Sequence, residues 1–327
     1  MQTRKLGNSD ITVSALGLGC MSMSPFYGSA EDTEESKATL RRAVELGLTF
    51  FDTALSYGNG VSEALLGPVL REYRDKITIA TKFGIYYKPD SIGFNGDPHY
   101  CHQCCDASLY RLKTDIIDLW YLHRVDPDIP VEETVGAMSQ MVEAGKVRAL
   151  GMSEVSPETL RKAHAIHPIS ALQSEYSLWS RDPEGDVLDT CRELGISLVP
   201  YSPLGRGFFT GTMTSQSDLR ENDRRAIFPR FSEENLERNV LLLDVIQGIA
   251  DSKNCTMGQV AIAWVMAQGN DIIPIPGTRQ RKYLEENAGA ADVTIDAGDL
   301  AKLDHAFPKG AAEGGRLPVD MATVSDK

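Results

Sequence analysis

Four residues of reactive type stand at or just beyond the ends of short apolar segments. Asp52, Lys82 and His123 each close such a segment, and Tyr57 follows Asp52 within the glycine-containing stretch SYGNG. A tyrosine hydroxyl can donate a proton to an oxygen atom, and a nearby lysine cation lowers a tyrosine pKa from about 10 by roughly 1–3 units. Asp52 would keep Lys82 charged, and a neutral imidazole at His123 could hydrogen-bond a substrate oxygen. The set predicts proton donation to a carbonyl group.

The segment ITIATKFG carries the strongest local argument. Lys82 shares its side of the predicted strand with Ala80, whereas Ile79 and Phe83 point the other way, toward surrounding helices. Its ammonium would enter the mouth of a barrel, where an unpaired charge is costly, and Asp52 is the natural partner. An isolated Asp or His at a strand end is more often a cap than a catalyst. The prediction therefore depends on elements that bring these residues together.

After a hairpin over residues 3–14, short apolar segments alternate with longer amphipathic ones along the chain. The predicted strands are Ala15–Gly19, Thr49–Thr53, Ile77–Phe83, Ile117–His123, Val147–Ser153, Ala171–Glu175, Leu198–Ser202 and Ile272–Pro276. The predicted helices are Glu34–Leu46, Glu63–Glu72, Tyr100–Leu112, Val131–Ala144, Pro157–Ala165, Gly185–Leu194, a longer pair over Glu234–Gln268, and Gln280–Ala290.

Eight strand and helix repeats predict an α/β fold of the (β/α)8 barrel type, because strands that alternate with helices lie parallel and bury both faces. An open doubly wound sheet is the alternative. It is disfavoured because the sequence GLGCMS, residues 17–22, has only the first two glycines of a dinucleotide-binding loop. We expect a single domain over residues 1–327, with residues 309–327 as a mobile tail.

Composition limits the possible partners. The chain has 327 residues, a hydrophobic content of 42% and a formal net charge of −13. Such a charge argues against nucleic acid or an anionic membrane as a partner. The first residues lack the apolar core of a signal peptide, and no apolar run approaches the ~20 residues of a membrane helix. A soluble, cytoplasmic protein with reduced thiols is expected.

The segment PIPGTRQRK, residues 274–282, leaves the last predicted strand through Gly277 and enters a helix. It places Arg279, Arg281 and Lys282 near a helix N-terminus, and barrels often bind phosphate after their seventh and eighth strands. A solvated helix face is the alternative interpretation. The seventh strand ends at Tyr201, which could offer a flat surface to a heterocycle.

The stretch HYCHQCC, residues 99–105, holds three of the six cysteines and two of the six histidines. On a helix, Cys101 and Cys105 share one face with Cys104 alongside, and a free cysteine there behaves as a small hydrophobe. A zinc site needs four converging ligands, whereas one helix offers two or three. We expect the cysteines to face the core, and no metal to be bound.

Over nearly its whole length the chain resembles the aldo-keto reductase family. The matching segments, in the family's order, are LGLGCM, FFDTALSYGNGVSEALLG, ITIATKFG, IDLWYLHRVDP, GMSE, LQSEYS, VPYSPLGRGFFTG, PRFSEENLERN, AIAWV and IPGTRQRKYLEENAGA. A finer likeness, through EYSLWSRD, AHAIHP and the CC pair before ASL, is to a branch with plant ketone-reducing and auxin-induced-type members. The resemblance implies a barrel whose hairpin closes the bottom, and NADPH-dependent reduction of an aldehyde or ketone.

The resemblance also implies roles for individual residues. Tyr57 would be the general acid, with Lys82 lowering its pKa, Asp52 pairing with Lys82, and His123 orienting the carbonyl. Residues near the ends of the first and the later strands would hold the nicotinamide carboxamide and ring, the pyrophosphate and the adenosine. The implied cofactor contacts are Cys20, Met21, Ser153, Gln173, Tyr201, Ser202, Pro203, Leu204, Gly205, Arg206, Gly277, Thr278, Arg279, Glu286 and Asn287.

Several alternatives stay open. Tyr283 stands where relatives often carry Arg or Gln, so a preference for NADPH over NADH would depend on Arg279. Lys82 could instead be the nucleophile of a Schiff-base lyase. The family also includes cofactor-binding channel subunits with little turnover. The substrate is expected to be a small carbonyl compound that meets an aromatic mouth, and the oligomeric state cannot be read. The predicted mouth comprises Phe26, Tyr27, Tyr86, Tyr87, Trp179 and the loop Val125–Pro130.

Overall fold

The computed structural model describes residues 1–24, 33–87, 91–219, 221 and 223–318. Its strands are β1 Thr3–Lys5, β2 Thr12–Ser14, β3 Leu18–Gly19, β4 Phe50–Asp52, β5 Thr78–Phe83, β6 Ile85–Tyr87, β7 Ile92–Phe94, β8 Ile117–Leu122, β9 Val147–Ser153, β10 Ile169–Glu175 and β11 Ser197–Tyr201. Its α-helices are α1 Thr33–Glu45, α2 Val61–Leu70, α3 Pro98–Leu112, α4 Val131–Glu143, α5 Pro157–Ile166, α6 Asp186–Leu194, α7 Glu233–Val240, α8 Leu243–Lys253, α9 Met257–Ala267, α10 Arg281–Gly289 and α11 Ala297–Ala306.

Seven parallel strands form the main sheet in the order β3-β4-β5-β8-β9-β10-β11. The predicted eighth strand lies between its two edges. The N–H groups of Ile273 and Ile275 donate to β11 at 2.9 Å each, and the carbonyls of Pro274 and Pro276 accept from Gly17 and β3 at 2.9 and 3.2 Å. The prolines have no N–H to return these bonds, so the pairing is one-sided. The predicted (β/α)8 barrel is confirmed.

Two layers of core follow from the alternation of side chains along these strands. The inner layer fills the barrel and includes Phe50, Ala80, Leu119 and Tyr121. The outer layer lies between strands and helices and includes Ile79 and Phe83 of β5. The two sides predicted for β5 are therefore the observed ones. Lys82 lies on the inner side, and none of its surface is exposed.

The N-terminal hairpin, β1 paired antiparallel with β2, closes one end of the barrel as predicted. Its residues Leu6, Ile11 and Val13 are buried in the inner layer of the core. Arg4 donates to the carbonyls of Met266 and Gly269 at 3.0 and 2.9 Å, which fixes the hairpin to the end of α9. The opposite end of the barrel is left for the strand ends that carry the reactive residues.

Some predicted elements differ from the observed ones. Residues 233–267 form three helices rather than a pair, because α7 ends at Val240 before α8 begins at Leu243. The next break, between α8 and α9, lies where Asn254 is left-handed and Thr256 begins α9 with a capping box. The hairpin β6–β7 and helix α11 were not predicted. None of the helices in the described ranges is long and apolar enough to span a membrane.

The cysteines of α3 lie in the core, as predicted. Cys101, Cys104 and Cys105 are all buried and form no disulfide. Burial raises the pKa of Cys104 to about 11 and that of Cys105 to about 12, so both are thiols at neutral pH. His99 is exposed, and His102 is half-buried. Among the residues with described positions, no three His, Cys, Asp or Glu side chains could hold a metal ion.

Candidate active site

Lys82 lies near the carboxyl end of β5, and its ammonium donates three hydrogen bonds. It donates to Asp52 Oδ1 at 2.5 Å, to the carbonyl of Thr53 at 2.7 Å and to Tyr57 Oη at 3.3 Å. The second oxygen of Asp52 accepts from Gln173 Nε2 at 2.8 Å. Burial lowers the pKa of Lys82, and the charge of Asp52 opposes that shift. The pair supplies a fixed cation to the oxygen of Tyr57.

His123 completes the predicted group. Its ring lies edge-on to that of Tyr57, with the centroids 5.9 Å apart, and its Nδ1 is 3.3 Å from Ser56 Oγ. Burial lowers the pKa of His123 well below its usual range, and the charges of Arg124 and Lys82 add to the effect. The imidazole is therefore neutral at physiological pH, as the sequence indicated.

One electrostatic expectation was wrong. Burial raises the pKa of Tyr57 well above its usual value, and the nearby carboxylate of Asp52 raises it further. Lys82 does not reverse this shift, because its charge is matched by Asp52 only 2.5 Å away. Tyr57 is thus firmly protonated in the unliganded site. The cation of Lys82 meets a phenolate only after the proton has left.

A cavity of about 610 Å³ opens over these residues at the carboxyl ends of the strands. Asp52, Tyr57 and His123 line it, whereas Lys82 lies behind them. All but three of the predicted cofactor contacts also line the cavity. Those that do are Cys20, Met21, Ser153, Gln173, Tyr201, Ser202, Pro203, Leu204, Arg206, Gly277, Thr278 and Arg279.

The three other predicted contacts are set back from the wall. Gly205 is buried, Asn287 is 5% exposed, and the carboxylate of Glu286 accepts from Thr256 Oγ1 at 2.8 Å. Arg206 lines the cavity, but its charge is paired, because its guanidinium donates to Glu175 at 3.0 Å. Its pairing partner lies at the end of β10, which sequence alone did not indicate.

The three basic residues after the eighth strand have different environments. Arg281 forms an ion pair with Glu35 of α1 at 2.9 Å, and Lys282 lies over the ring of Tyr283. Arg279 lines the cavity and has no carboxylate partner in the ranges given above. Of the predicted cluster, only Arg279 is left to meet an anion in the cavity.

Ser153 can offer a hydrogen-bond donor to the cavity, and Gln173 can offer an acceptor. Ser153 Oγ accepts from Arg124 Nη1 at 3.0 Å, so its own hydrogen stays available for donation. Gln173 donates through Nε2 to Asp52, so its carbonyl oxygen can accept. Both line the cavity. A donor beside an acceptor matches a primary carboxamide, which has one C=O and one NH2.

A buried ion pair beneath Tyr201 was missed by sequence reasoning. Tyr201 donates to Glu154 Oε1 at 2.9 Å, and Arg316 binds both oxygens of Glu154 at 3.0 and 2.7 Å. Burial alone would raise the pKa of Glu154, but Arg316 outweighs it and holds that pKa at about 2. The backbone of Glu154 is left-handed, with φ 55°, a strained state for this residue type.

The partner of Glu154 comes from the predicted mobile tail. Asn239 exchanges hydrogen bonds with the backbone of Glu313 at 2.8 and 3.1 Å, and Arg316 is 10% exposed at its side chain. Residues 319–327 lie outside the described residues. The proximity of GMSE to a strand end could have indicated Glu154, but no local signal marks Arg316.

The predicted aromatic mouth is only partly observed. Tyr87 lines the cavity together with Ile85 and Ile92 of the β6–β7 hairpin. Trp179 is buried, stacked on Phe208 with centroids 4.3 Å apart, so it belongs to the core instead. The loop Val125–Pro130 and Tyr86 do not line the cavity, and Phe26 and Tyr27 lie outside the described residues.

Comparisons with known proteins agree with this geometry. The model of the Aldo/keto reductase family matches residues 15–307. A relative from Glycine max, called "Probable aldo-keto reductase 1", is 46% identical over 319 residues, which cover 97% of this chain and 92% of the relative.

Solved structures extend the likeness to three dimensions. A glycerol dehydrogenase from Gluconobacter oxydans is 25% identical, with a TM-score of 0.86 over 93% of this chain and 94% of its own. A thermostable aldo-keto reductase bound to the inhibitor epalrestat is 28% identical, with a TM-score of 0.76 over 94% of this chain and 100% of its own. A holo aldo-keto reductase from Bacillus halodurans is 25% identical, with a TM-score of 0.77 over 96% and 98%. The chain therefore belongs to the aldo/keto reductase family of oxidoreductases.

Proposed function

We propose that the protein reduces an aldehyde or ketone to the alcohol, with NADPH as the reductant and Tyr57 as the general acid. The observation that carries the proposal is the contact between Lys82 Nζ and Tyr57 Oη at 3.3 Å, at the wall of the cavity. Because the oxygen of Tyr57 accepts from Lys82, its own hydrogen is left for an acceptor in the cavity. A bound nicotinamide cofactor supplies the hydride.

Tyr57 gives its proton to the substrate oxygen as negative charge develops there. The resulting phenolate lies beside Lys82, which is held by Asp52 and by the carbonyl of Thr53. Burial disfavours the phenolate before reaction, so the acid keeps its proton until a substrate needs it. The cation is prepositioned and needs no reorganisation when the charge arrives.

His123 would orient the substrate by a hydrogen bond to the same oxygen. Ser56 can donate to Nδ1, which places the imidazole hydrogen on Nε2 and toward the cavity. A neutral imidazole donates without competing with Tyr57 as a strong acid, and its low pKa supports that state. Tyr57 and His123 would then form a two-donor site for one carbonyl oxygen.

The cavity wall supports a nicotinamide cofactor. Ser153 can donate to the carbonyl of the carboxamide and Gln173 can accept from its NH2 group, while Tyr201 offers a flat face to the ring. The loop over residues 202–206 would face the pyrophosphate, with Arg206 contributing its backbone because Glu175 occupies its guanidinium. Arg279, which has no carboxylate partner among the described residues, supports a contact with the 2′-phosphate, and hence NADPH rather than NADH.

A cofactor comparison tests this assignment. Binding of NADPH and NADH is measured by quenching of intrinsic fluorescence, first for the unmodified protein and then for Arg279→Met. We expect NADPH to bind at least about tenfold more tightly, the size of a charge-assisted pair, and the variant to lose most of that preference. Equal affinity for both cofactors in the unmodified protein would contradict the NADPH assignment. Arg281→Met is the matched control, because Glu35 already occupies Arg281.

Two other functions have weaker support. A Schiff-base lyase would need the amine of Lys82 to reach the substrate, yet all three of its hydrogens are engaged and it is fully buried behind Asp52. A regulatory subunit with little turnover would bind NADPH without oxidising it. Steady-state oxidation of NADPH in the presence of a panel of aldehydes and ketones separates that possibility from the proposed reductase.

A further inference from the structure

The charged side chains that line the cavity can be accounted for one by one. Asp218 accepts two backbone N–H groups of its own loop at 2.8 and 2.9 Å. Arg124 and Arg279 have no carboxylate partner in the described part of the chain. The others lie in ion pairs, which are Asp52 with Lys82, Arg206 with Glu175, and Arg225 with Asp223.

Arg124 follows His123 directly and is half-buried. Its Nη1 donates to the carbonyl of His123 at 2.6 Å and to Ser153 Oγ at 3.0 Å, both of which are neutral acceptors. Its Nε is buried and has no hydrogen-bond partner among the residues that the structure describes. The carboxylate of Glu154 is close in sequence to Ser153, but both of its oxygens are taken by Arg316. Arg124 therefore forms no ion pair with a described residue, and the charge of Glu154 acts on it only at longer range, where Arg124 helps to lower the pKa of Glu154.

The two arginines that form no ion pair with a described residue lie on opposite sides of the barrel. Arg124 follows β8, the fourth strand of the barrel, and Arg279 follows the closing segment, which is the eighth position. Strands four places apart in an eight-stranded barrel face each other across the mouth. The predicted phosphate contacts all belong to the side of β11 and Arg279. A phosphate held there would leave Arg124 beside His123, where the substrate carbonyl is bound.

We infer that Arg124 is an anion-binding residue of the substrate site, and that the preferred substrate carries a carboxylate or a similar anionic group near the carbonyl that is reduced. The inference rests on the proposed function. A half-buried guanidinium without a counter-ion is costly, and a carboxylate offers charge together with a planar pair of acceptors.

Matched substrates test the inference. The kcat/KM for NADPH-dependent reduction is measured for 2-, 3- and 4-carboxybenzaldehyde and for the methyl ester of each. The ester keeps the shape and removes the charge. For the best isomer we expect the acid to exceed its ester by about tenfold or more, as for a hydrogen bond to a charged group. An ester preferred over its acid for all three isomers would overturn the inference.

Variants assign the preference to a residue. Arg124→Met should lower the acid-to-ester ratio to near one, and Arg124→Lys should retain part of it. The ratio is unaffected by damage to folding or to cofactor binding, because such damage acts on acid and ester alike. Arg279→Met is the matched control, with weaker NADPH binding but an unchanged ratio. A ratio that is the same in Arg124→Met as in the unmodified protein would show that Arg124 only positions Ser153, and would overturn the inference.

The measurement also separates this inference from the function on which it rests. Oxidation of NADPH with the esters but not with the acids overturns the inference alone. No oxidation with any of the six compounds, in protein that binds NADPH, overturns the proposed reductase and the inference with it. Competition provides a check that needs no variant, because benzoate should inhibit reduction of a neutral aldehyde at least about tenfold more strongly than benzamide. Equal inhibition would count against Arg124.

Discussion

Two tyrosines at the mouth of the barrel each contact one member of a buried ion pair, but the members have opposite charge. Lys82 of the first pair donates to the oxygen of Tyr57 at 3.3 Å. Glu154 of the second pair accepts the hydrogen of Tyr201 at 2.9 Å. Both tyrosines line the same cavity, and in both burial raises the pKa of the hydroxyl.

The difference supports a separate proposed role for each tyrosine. The hydrogen of Tyr57 has no acceptor among the described residues, and the phenolate left after its donation would be stabilised by a cation. The hydrogen of Tyr201 is committed to a carboxylate, and a phenolate beside Glu154 would be repelled. The first tyrosine is thus available as an acid, whereas the second presents only its ring.

The largest expected effect comes from removing the two hydroxyls separately. Tyr57→Phe should lower kcat by about 100- to 10 000-fold, the usual contribution of a general acid, and leave NADPH binding intact. Steady-state oxidation of NADPH and fluorescence quenching are the two measurements. Tyr201→Phe is the control, since it removes a hydroxyl that cannot donate to a substrate. Similar losses of kcat in both variants would contradict the comparison.

Breaking the second ion pair should reduce stability rather than remove the acid. Arg316→Met leaves Glu154 buried without its partner, which costs about 3–5 kcal/mol in the free energy of unfolding. Urea unfolding measures the change, with Arg238→Met as a control because the pair of Arg238 with Glu234 is exposed on α7. A change as small as that of the control would mean that the tail does not stabilise the barrel.

The same pair predicts a specific dependence of stability on pH. The pKa of Glu154 is held at about 2 in the folded protein, below the value near 4.5 of an unfolded chain. Its contribution is therefore complete above pH 4.5 and is lost as pH falls toward 2. Between pH 6 and pH 3.5 the unmodified protein should lose about 1.4 kcal/mol more than Glu154→Gln does. Equal slopes in urea titrations at several pH values would contradict the assignment.

The smallest effect is expected for Tyr201→Phe, which tests whether Tyr201 differs from Tyr57 in presenting only its ring. Tyr201→Phe keeps the ring and removes one hydrogen bond to Glu154, which also accepts from Arg316 and from the backbone N–H of Glu175. We expect a loss of roughly 1.5–3 kcal/mol at most in stability, and only a few-fold change in the dissociation constant for NADPH. A much larger loss of NADPH binding would mean that the hydroxyl itself contacts the cofactor.

The first pair was predictable from sequence and the second was not, for a physical reason. Asp52, Lys82 and His123 lie at or next to the carboxyl ends of three neighbouring strands, and the period of two places Lys82 inside the barrel. Arg316 reaches Glu154 across 162 positions from a segment without regular structure, so no periodicity constrains it. The role given to Arg206 was incomplete for the same reason, since its partner Glu175 belongs to another strand.

The direction of the pKa shift of Tyr57 could not be predicted from the sequence either. The residue types indicated a cation beside a tyrosine, which lowers a pKa in water-exposed surroundings. The direction observed depends on burial and on how closely Asp52 matches Lys82, both of which are properties of the folded site. The fold was more accessible, because alternation of strands and helices is a local pattern repeated many times.

The prolines of the closing segment set the alignment of the whole mouth. Ile273 and Ile275 point into the inner core and donate to β11, while Pro274 and Pro276 have no N–H that would need an acceptor on the side of β3. A slip by one residue would turn both prolines toward β11, remove both donors there, and expel the two isoleucines from the interior. These costs disfavour every other register of the closing segment against β11 and β3. The turn at Gly277 and the guanidinium of Arg279 are therefore held at one distance from the end of the barrel that the hairpin closes. The pairing of the closing segment therefore fixes where Arg279 can meet a bound ligand.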